Sequence, residues 1–445
     1  MKVAVVGAGW AGLAAASQCM ALGMDVTLYE ASHKAGGRAR AVSDSRFGDL
    51  DNGQHLLIGA YRETLAMIAR DVGADHLARV FKRLPLWLQS ADGQFRLKKK
   101  LGLGHSTLTD AAALWCARGL GLRDKWRITS LLHRLKKDQQ QPSDAETSTV
   151  SQWLLAQKQT PEACRWLWYP LCLATLNTSP SEACASLFQK VLIDSFTSDQ
   201  ADALDLLIPS CNLSELWPDT IAKRANVRFG QVVREIAPQV TGVAIDGVEF
   251  DACVLAVPPT NLERLVRHLD GFEQLAQQSS SFEFRSIATC YVSVGNHQPL
   301  PAPLLMFDHQ TDTPGHIGQW VFDRQACMLT QPRAQLAFVV SCADHLDKID
   351  DIELGRALVS QLKQALPSYT GSVIDARCFQ EKRATFAALP GLHRPGTQTP
   401  HKRIMLAGDW TDTGYPAVIE GAVISGIKAA DQIAVLAKGL SSGLQ

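Results

Sequence analysis

The eleven cysteines of this 445-residue chain form no C-x-x-C pair and no cluster at metal-ligand spacing. No metal site is therefore expected. The sulfurs, scattered from Cys19 to Cys378, read as reduced thiols buried like small apolar side chains in a cytoplasmic protein. An excess of charge of either sign is also missing. With 44 basic residues against 44 acidic ones the chain is no general polyanion binder, and no nucleic-acid partner is expected. Beyond the first strand and helix no apolar run is long enough to span a bilayer, and neither an export signal nor a lipidation motif is evident. Internal repeats are absent as well. A hydrophobic content of 46%, over a length that allows two or three domains, leaves a globular protein with a large core.

The even charge has one local exception. Residues 96–137 hold eleven Lys or Arg and two acidic residues, interspersed with Trp115, Trp126 and several leucines. Such a basic amphipathic stretch is either a solvated helical face or a peripheral seat on anionic lipid at the inner face of the cytoplasmic membrane.

What the chain does contain is Val3-Ala-Val-Val-Gly-Ala-Gly-Trp-Ala-Gly12, a β-branched strand running into a glycine turn and an alanine-rich helix. This arrangement holds a dinucleotide pyrophosphate. Gly7 permits the tight turn, Gly9 lets the backbone approach the phosphates, and Gly12 lets helix and strand pack closely, with Trp10 and Ala11 opening the helix. Residues 3–24 carry no charge, as a signal peptide would, but the glycine spacing and Gly23 at the helix end suit a buried βαβ unit better. The second strand, Asp25 to Tyr29, ends at Glu30, at the separation from which a carboxylate reaches a ribose hydroxyl. Gly36-Gly37-Arg38-Ala39-Arg40 then adds a second flexible turn and two guanidiniums. That segment resembles the FAD-dependent amine oxidase and phytoene desaturase superfamily, in which it lies beside the pyrophosphate. The resemblance implies FAD rather than a nicotinamide cofactor.

The nucleotide fold is expected from separated pieces. Residues 1–80 supply the first βαβ unit, the Asp51-Asn52-Gly53-Gln54-His55 loop and a helix from Tyr61 to Val72 stopped at Gly73. Residues 211–270 add strands at Val227 to Ile236, Val243 to Phe250 and Asp251 to Pro258, and residues 395–445 add a strand from Arg403 and a long helix from Pro416. Residues 81–210 and 271–394 are left for a substrate domain. The first reads as mainly helical with a polar break at 136–149, the second as strands at 282–295, 336–342 and 373–380 around a helix at 351–366. The expected fold class is α/β: a discontinuous Rossmann-like FAD-binding domain plus an α+β substrate domain with a mixed sheet and a helical insertion, amine oxidase-like.

Four segments narrow the resemblance: Leu50 to Thr64, Tyr169 to Thr178, Glu381-Lys-Arg-Ala-Thr-Phe386 and Leu406 to Gly426. Together they resemble the hydroxysqualene dehydroxylases of bacterial hopanoid synthesis. The likeness implies that Gly408 and Asp409 lie at the ribityl and phosphate part of FAD, with Pro416, Ala417 and Val418 aiming a helix N-terminus at the flavin N1 and O2 edge. It also implies cofactor contacts at Gly37, Arg38, Arg40, Asn52, Gly53, Gln54, His55 and Val233. No cysteine lies between Gly408 and Gly426, so FAD is expected to be noncovalent.

The implied reaction removes an allylic hydroxyl reductively, giving squalene and water from hydroxysqualene. It needs an apolar chamber, an oriented isoprenoid and a proton donor. His55 is the preferred donor, because it follows the Asp51-Asn52-Gly53 turn and an imidazolium donates near neutral pH; Asp51, Tyr169 and Tyr415 are further candidates. Lys382, Arg383 and Phe386 fall either beside flavin and substrate or at a strand end. No separate nicotinamide site is apparent, so an unidentified electron donor is expected to reduce FAD. Two other readings stand beside this one. A carotenoid-type desaturase or isomerase would send hydride toward flavin, and a prenyl-lipid escort would keep the fold without the chemistry.

Overall fold

The computed structural model describes residues 1–99, 112–137, 145–308, 317–328, 330–346 and 350–442. Strands Lys2–Val6, Asp25–Glu30, Asn226–Phe229, Ala252–Leu255 and Ile404–Leu406 form one parallel sheet. Lys2–Val6 is central, paired with Asp25–Glu30 on one side and Ala252–Leu255 on the other; Asn226–Phe229 and Ile404–Leu406 close the edges. Val3 to Val6 and Ala252 to Leu255, at the centre of the sheet, are apolar and buried because both faces are covered. Val3 and Val5 face one core with Leu13, Ala14 and Ala430, while Ala4 and Val6 face another with Cys253 and Leu255.

Small residues let two helices meet on this sheet. A Cβ added at Gly426 would lie 2.2 Å from the Ala11 carbonyl oxygen, so the helix Trp10–Ala21 and the C-terminal helix Ile419–Ser442 approach backbone to backbone. The C-terminal helix also ties down the helix Arg62–Val72, whose first amides are orphan donors. The Glu420 carboxylate accepts from Glu63 N and Thr64 N, both at 2.9 Å, and from the Thr64 hydroxyl at 2.6 Å.

The second large sheet is antiparallel, in the order Leu304–Met306, Trp320–Asp323, Leu336–Ser341, Phe284–Gly295, Ser372–Phe386. One face packs on the helix Asp351–Ala365, through Ala288, Cys290 and Val292 against Leu354, Leu358 and Leu362. The other face, carrying Thr289 and Ser341, looks into the molecule. Near one end the register slips. Arg285 pairs with Thr385 but Ile287 pairs with Glu381, which leaves a bulge in the outer strand.

Several expectations need correction. The described part of residues 81–210 is mainly helical, as expected, but it also holds the unforeseen strands Phe81–Leu84, Trp87–Gln89, Arg96–Lys98 and Leu206–Pro209. Leu206–Pro209 pairs with Phe81–Leu84 across a long sequence separation that no local pattern reveals. The stretch from Val227 to Ile236 is two short strands rather than one, and Val243 to Phe250 is a hairpin turning at Asp246 and Gly247. The helix expected from Pro416 starts at Ile419. Parts of the 96–137 and 136–149 readings, residues 100–111 and 138–144, lie outside the described residues. The thiols are not all reduced, because Cys290 and Cys378 face each other across paired strands, 4.1 Å apart at Cα, and are joined as a disulfide. Nor are the others all buried, since Cys116 is exposed.

Candidate active site

The glycine turn is built by close approach. Gly7 has φ +105°, and a Cβ there would lie 2.3 Å from the Ala256 carbonyl oxygen. A Cβ on Gly12 would lie 1.9 Å from the Gly7 oxygen, so Gly12 sits behind the turn and packs it instead of facing a ligand. Gly9 differs from both. The one atom near its added Cβ is the Gly37 Cα at 3.9 Å, which leaves one side of Gly9 open. Glu30 steadies the same turn by accepting from Ala8 N at 2.7 Å and Ser32 N at 2.8 Å.

A cavity of about 630 Å3 starts from this turn. Gly7, Gly9, Trp10, Ala11, Glu30, Gly37, Arg38, Val233, Gly408 and Asp409 line one part of its wall, and Asn52, Gly53, Gln54, His55, Ala417 and Val418 line the next. Farther along, the wall is apolar, made by Leu171, Leu173, Val191, Phe196, Leu204, Leu206, Leu304 and Phe322. Polar turn and apolar chamber are therefore one continuous space.

Arg38 braces the junction. Its guanidinium donates to Asp409 Oδ1 and to the Ala384 carbonyl, each at 2.6 Å, so the strand bulge delivers a backbone acceptor to it. Such a bidentate donor fixes Asp409 and the outer strand together. Arg40 is not on the wall. It donates to the Gly37 oxygen at 2.6 Å and exchanges backbone and side-chain bonds with Asn52, holding the two turns from behind. Pro416 also lies off the wall, its carbonyl accepting from Val418 N at 2.8 Å.

The proton-donor candidates separate sharply. His55 lines the cavity with Nδ1 2.7 Å from the Gly53 oxygen. A carbonyl only accepts, so Nδ1 carries the proton and donates. Burial, with the Arg38 charge adding to it, holds the imidazole below its ordinary pKa, which leaves Nε2 unprotonated at neutral pH. Asp51 does not line the cavity. Its Oδ1 accepts from Leu213 N at 2.8 Å, and burial pushes its carboxyl up to about 7. The hairpin pairing Ala41–Asp44 with Gly48–Asp51 decides this, because it turns Asp51 toward the start of the helix Leu213–Leu216. Tyr415 is likewise off the wall: its hydroxyl donates to Asp194, which also holds Lys190 Nζ at 2.9 Å. Burial and that carboxylate push the phenol pKa up. Tyr169, half-buried in the helix Tyr169–Leu176, is also absent from the wall that its neighbours Leu171 and Leu173 supply.

The sheet face contributes residues that sequence reasoning missed. Ile287, Thr289, Ser341, Glu381 and Thr385 all line the cavity. Glu381, Ile287 and Ser341 lie side by side across three strands, and Thr289 accepts from Gln54 N at 3.2 Å. Of the segment Glu381 to Phe386, the residues singled out point elsewhere: Lys382 and Arg383 are exposed, and Phe386 is in the core. The residues facing inward are Glu381, Ala384 and Thr385, a pattern the bulge conceals from simple alternation. Asn177, in left-handed conformation at φ 46°, pins the wall helix to this sheet through Ser286 O at 3.3 Å, Thr385 Oγ1 at 3.0 Å and Cys342 N at 2.8 Å.

Residues 10–434 match the flavin containing amine oxidoreductase family. The chain belongs to that family. Hydroxysqualene dehydroxylases are among the curated relatives; that of Rhodopseudomonas palustris is 29% identical over 97% of this chain and 98% of its own length. A zeta-carotene desaturase of Solanum lycopersicum is 22% identical over 97% of this chain and 81% of its own. Among solved structures, the cyclohexylamine oxidase of Brevibacterium oxydans IH-35A superposes with a TM-score of 0.69 at 17% identity, covering 98% of this chain and 99% of that one. The amine oxidase-like fold class is thereby established. A flavin family and a dinucleotide turn with one glycine face left open together specify FAD, and the chain is an FAD-dependent oxidoreductase.

Proposed function

We propose that the protein removes the allylic hydroxyl of hydroxysqualene reductively, giving squalene and water. The observation that carries this reading is the apolar chamber continuous with the dinucleotide turn, in a chain alignable end to end with hydroxysqualene dehydroxylases. Noncovalent FAD, reduced by a separate electron donor, supplies the hydride that replaces the hydroxyl. The chain's own part is to bind, orient and keep water away. Leu171, Leu173, Val191 and Phe196 offer the isoprenoid a continuous apolar wall, which gives no hydrogen bond to the water that would trap an allylic cation. Gly9, Gly37, Arg38 and Glu30, with Gly408 and Asp409 beside them, hold the dinucleotide part of the cofactor, and Asn52 to His55 with Ala417 and Val418 hold its flavin end.

The proton for the departing hydroxyl passes through His55 in this reading, at Nε2. That nitrogen is unprotonated at rest, so the step draws on the imidazolium fraction and quickens toward acid. A carotenoid-type desaturation, with hydride moving the other way, is the second reading, and the likeness to zeta-carotene desaturases is what favours it. A C30 lipid enters from a membrane, so contact of the 96–137 region with the cytoplasmic bilayer belongs to the same proposal. Incubating the anaerobically reduced protein with hydroxysqualene and identifying the product by mass tests it. Squalene, formed as the flavin is reoxidised, supports dehydroxylation; a reduced protein that leaves the substrate unchanged, while the oxidised protein is bleached as it gives a product with one more double bond, supports desaturation.

A further inference from the structure

The helix Leu122–Lys137 is amphipathic in an unusual sense. Its inner face is Ile128, Leu131 and Leu135, all buried, but its outer face begins with apolar side chains too. Leu122 is 75% exposed and Trp126 57%, and Trp115, in a helical segment that ends shortly before this helix, is 45% exposed. Isolated exposed apolar residues are ordinary; three large ones in one place are not.

The patch is held in shape. Lys125 turns inward and donates from Nζ to the Trp115 carbonyl at 2.8 Å, locking that segment against the helix. Asp124 is buried and accepts from Gly121 N at 2.7 Å, so its charge is spent internally. The groups left exposed around the apolar side chains are basic: Arg118, Arg123 and the half-buried Arg127, whose guanidinium lies 5.2 Å from the Trp126 ring centre. Farther down the same outer face come His133, Arg134 and Lys137. Tryptophan and leucine framed by arginine, with no exposed carboxylate among the described residues 112–137, fits the boundary between anionic headgroups and acyl chains.

The patch also has a fixed relation to the cavity. The Leu122–Lys137 helix packs on the helix Ala185–Phe196, whose Val191, Leu192 and Phe196 line the apolar chamber. One helix therefore separates the exposed patch from the chamber wall.

We propose that Trp115, Leu122 and Trp126, with Arg118, Arg123 and Arg127, form a rigid seat that docks the protein on an anionic bilayer beside its apolar chamber. The inference rests on the isoprenoid reading of that chamber and names the lipid surface from which the substrate comes.

The test is co-sedimentation of the FAD-loaded full chain with phosphatidylcholine vesicles, with and without phosphatidylglycerol, in the absence of substrate. The wild type is expected to pellet with the anionic vesicles and to be released by salt. Leu122→Ser with Trp126→Ser, and separately Arg123→Glu with Arg127→Glu, each lower the partition coefficient by about tenfold or more. Both variants keep their flavin content and turn over detergent-dispersed substrate at the wild-type rate, which shows that they fold. Pelleting of both variants like wild type, or no binding of wild type to anionic vesicles, overturns the seat. So does a wild-type dimer that Leu122→Ser with Trp126→Ser converts to a monomer without any vesicle binding, because the face then belongs to a second copy. Vesicle binding is read without substrate, so a protein that binds vesicles but leaves hydroxysqualene unchanged refutes the activity alone.

Discussion

Two single-methyl substitutions separate the glycine that builds the nucleotide turn from the glycine that meets the ligand. In Gly12→Ala the new Cβ lies 1.9 Å from the Gly7 oxygen and 3.0 Å from the Gly7 carbonyl carbon. Carbon contacts are comfortable at ~3.5–4.0 Å, so the overlap exceeds about 1 Å and falls on backbone. Overpacking of flexible side chains costs about 1–3 kcal/mol, and a backbone carbonyl that cannot rotate away puts this site at about 3 kcal/mol or more. In Gly9→Ala the nearest atom is the Gly37 Cα at 3.9 Å, an ordinary contact, so the apoprotein is expected to melt within about 2 °C of wild type. The same methyl occupies the open side of the turn, where a phosphate approaches, and FAD content falls at least about tenfold. Thermal denaturation of apoprotein and flavin absorbance per chain read the two effects separately. Gly12→Ala loses both stability and flavin; Gly9→Ala loses flavin alone. A Gly9→Ala protein that retains stoichiometric FAD, or a Gly12→Ala apoprotein as stable as wild type, refutes this division of roles.

Three further outcomes follow from the site. Flavin reoxidation by hydroxysqualene is expected to quicken as pH falls through a pKa below 6.5, and His55→Phe should keep FAD, lose that acid limb and react about a hundredfold more slowly; a variant with an unchanged pH profile removes His55 from the chemistry. The Asp51 carboxyl has a folded pKa of about 7, above the 3.8 of the unfolded chain, so the folded state binds its proton more tightly and stability from this group declines as pH rises between those values. Asp51→Asn keeps the acceptor for Leu213 N, so denaturant unfolding should show little change near the lower value and a gain of about 1–3 kcal/mol above the upper one; an equal effect at both ends contradicts the burial argument. Thiol titration in denaturant should find nine reactive groups without reductant and eleven with it, and eleven without reductant contradicts the Cys290–Cys378 pairing.

The parts of this molecule legible in its sequence are those where a local run of residues performs the task. Gly7 and Gly9 form one turn with Gly12 packed behind it, Glu30 at the end of the second strand accepts two hydrogen bonds that steady it, and Gly408, Asp409, Ala417 and Val418 reach the cavity from the segment between the last strand and the last helix. Side chains whose direction depends on distant pairing were not legible. Asp51 and His55 lie four residues apart, yet a hairpin register sends one to cap a helix and leaves the other on the cavity wall. Glu381 and Thr385 face inward while Lys382 and Arg383 do not, because the bulge opposite Ser286 breaks the alternation a strand would show. Tyr415 is a donor candidate by sequence, but Asp194, from a helix more than two hundred residues earlier in the chain, takes its hydroxyl.

One anaerobic single turnover decides whether the protein dehydroxylates hydroxysqualene. The protein-bound flavin is reduced with no excess reductant, hydroxysqualene is added, and oxidised-flavin absorbance is followed while the lipid is identified by mass. Reductive dehydroxylation reoxidises the flavin with one squalene formed per flavin. Reduced flavin that persists beside unchanged hydroxysqualene contradicts it and turns the assignment toward desaturation of another isoprenoid.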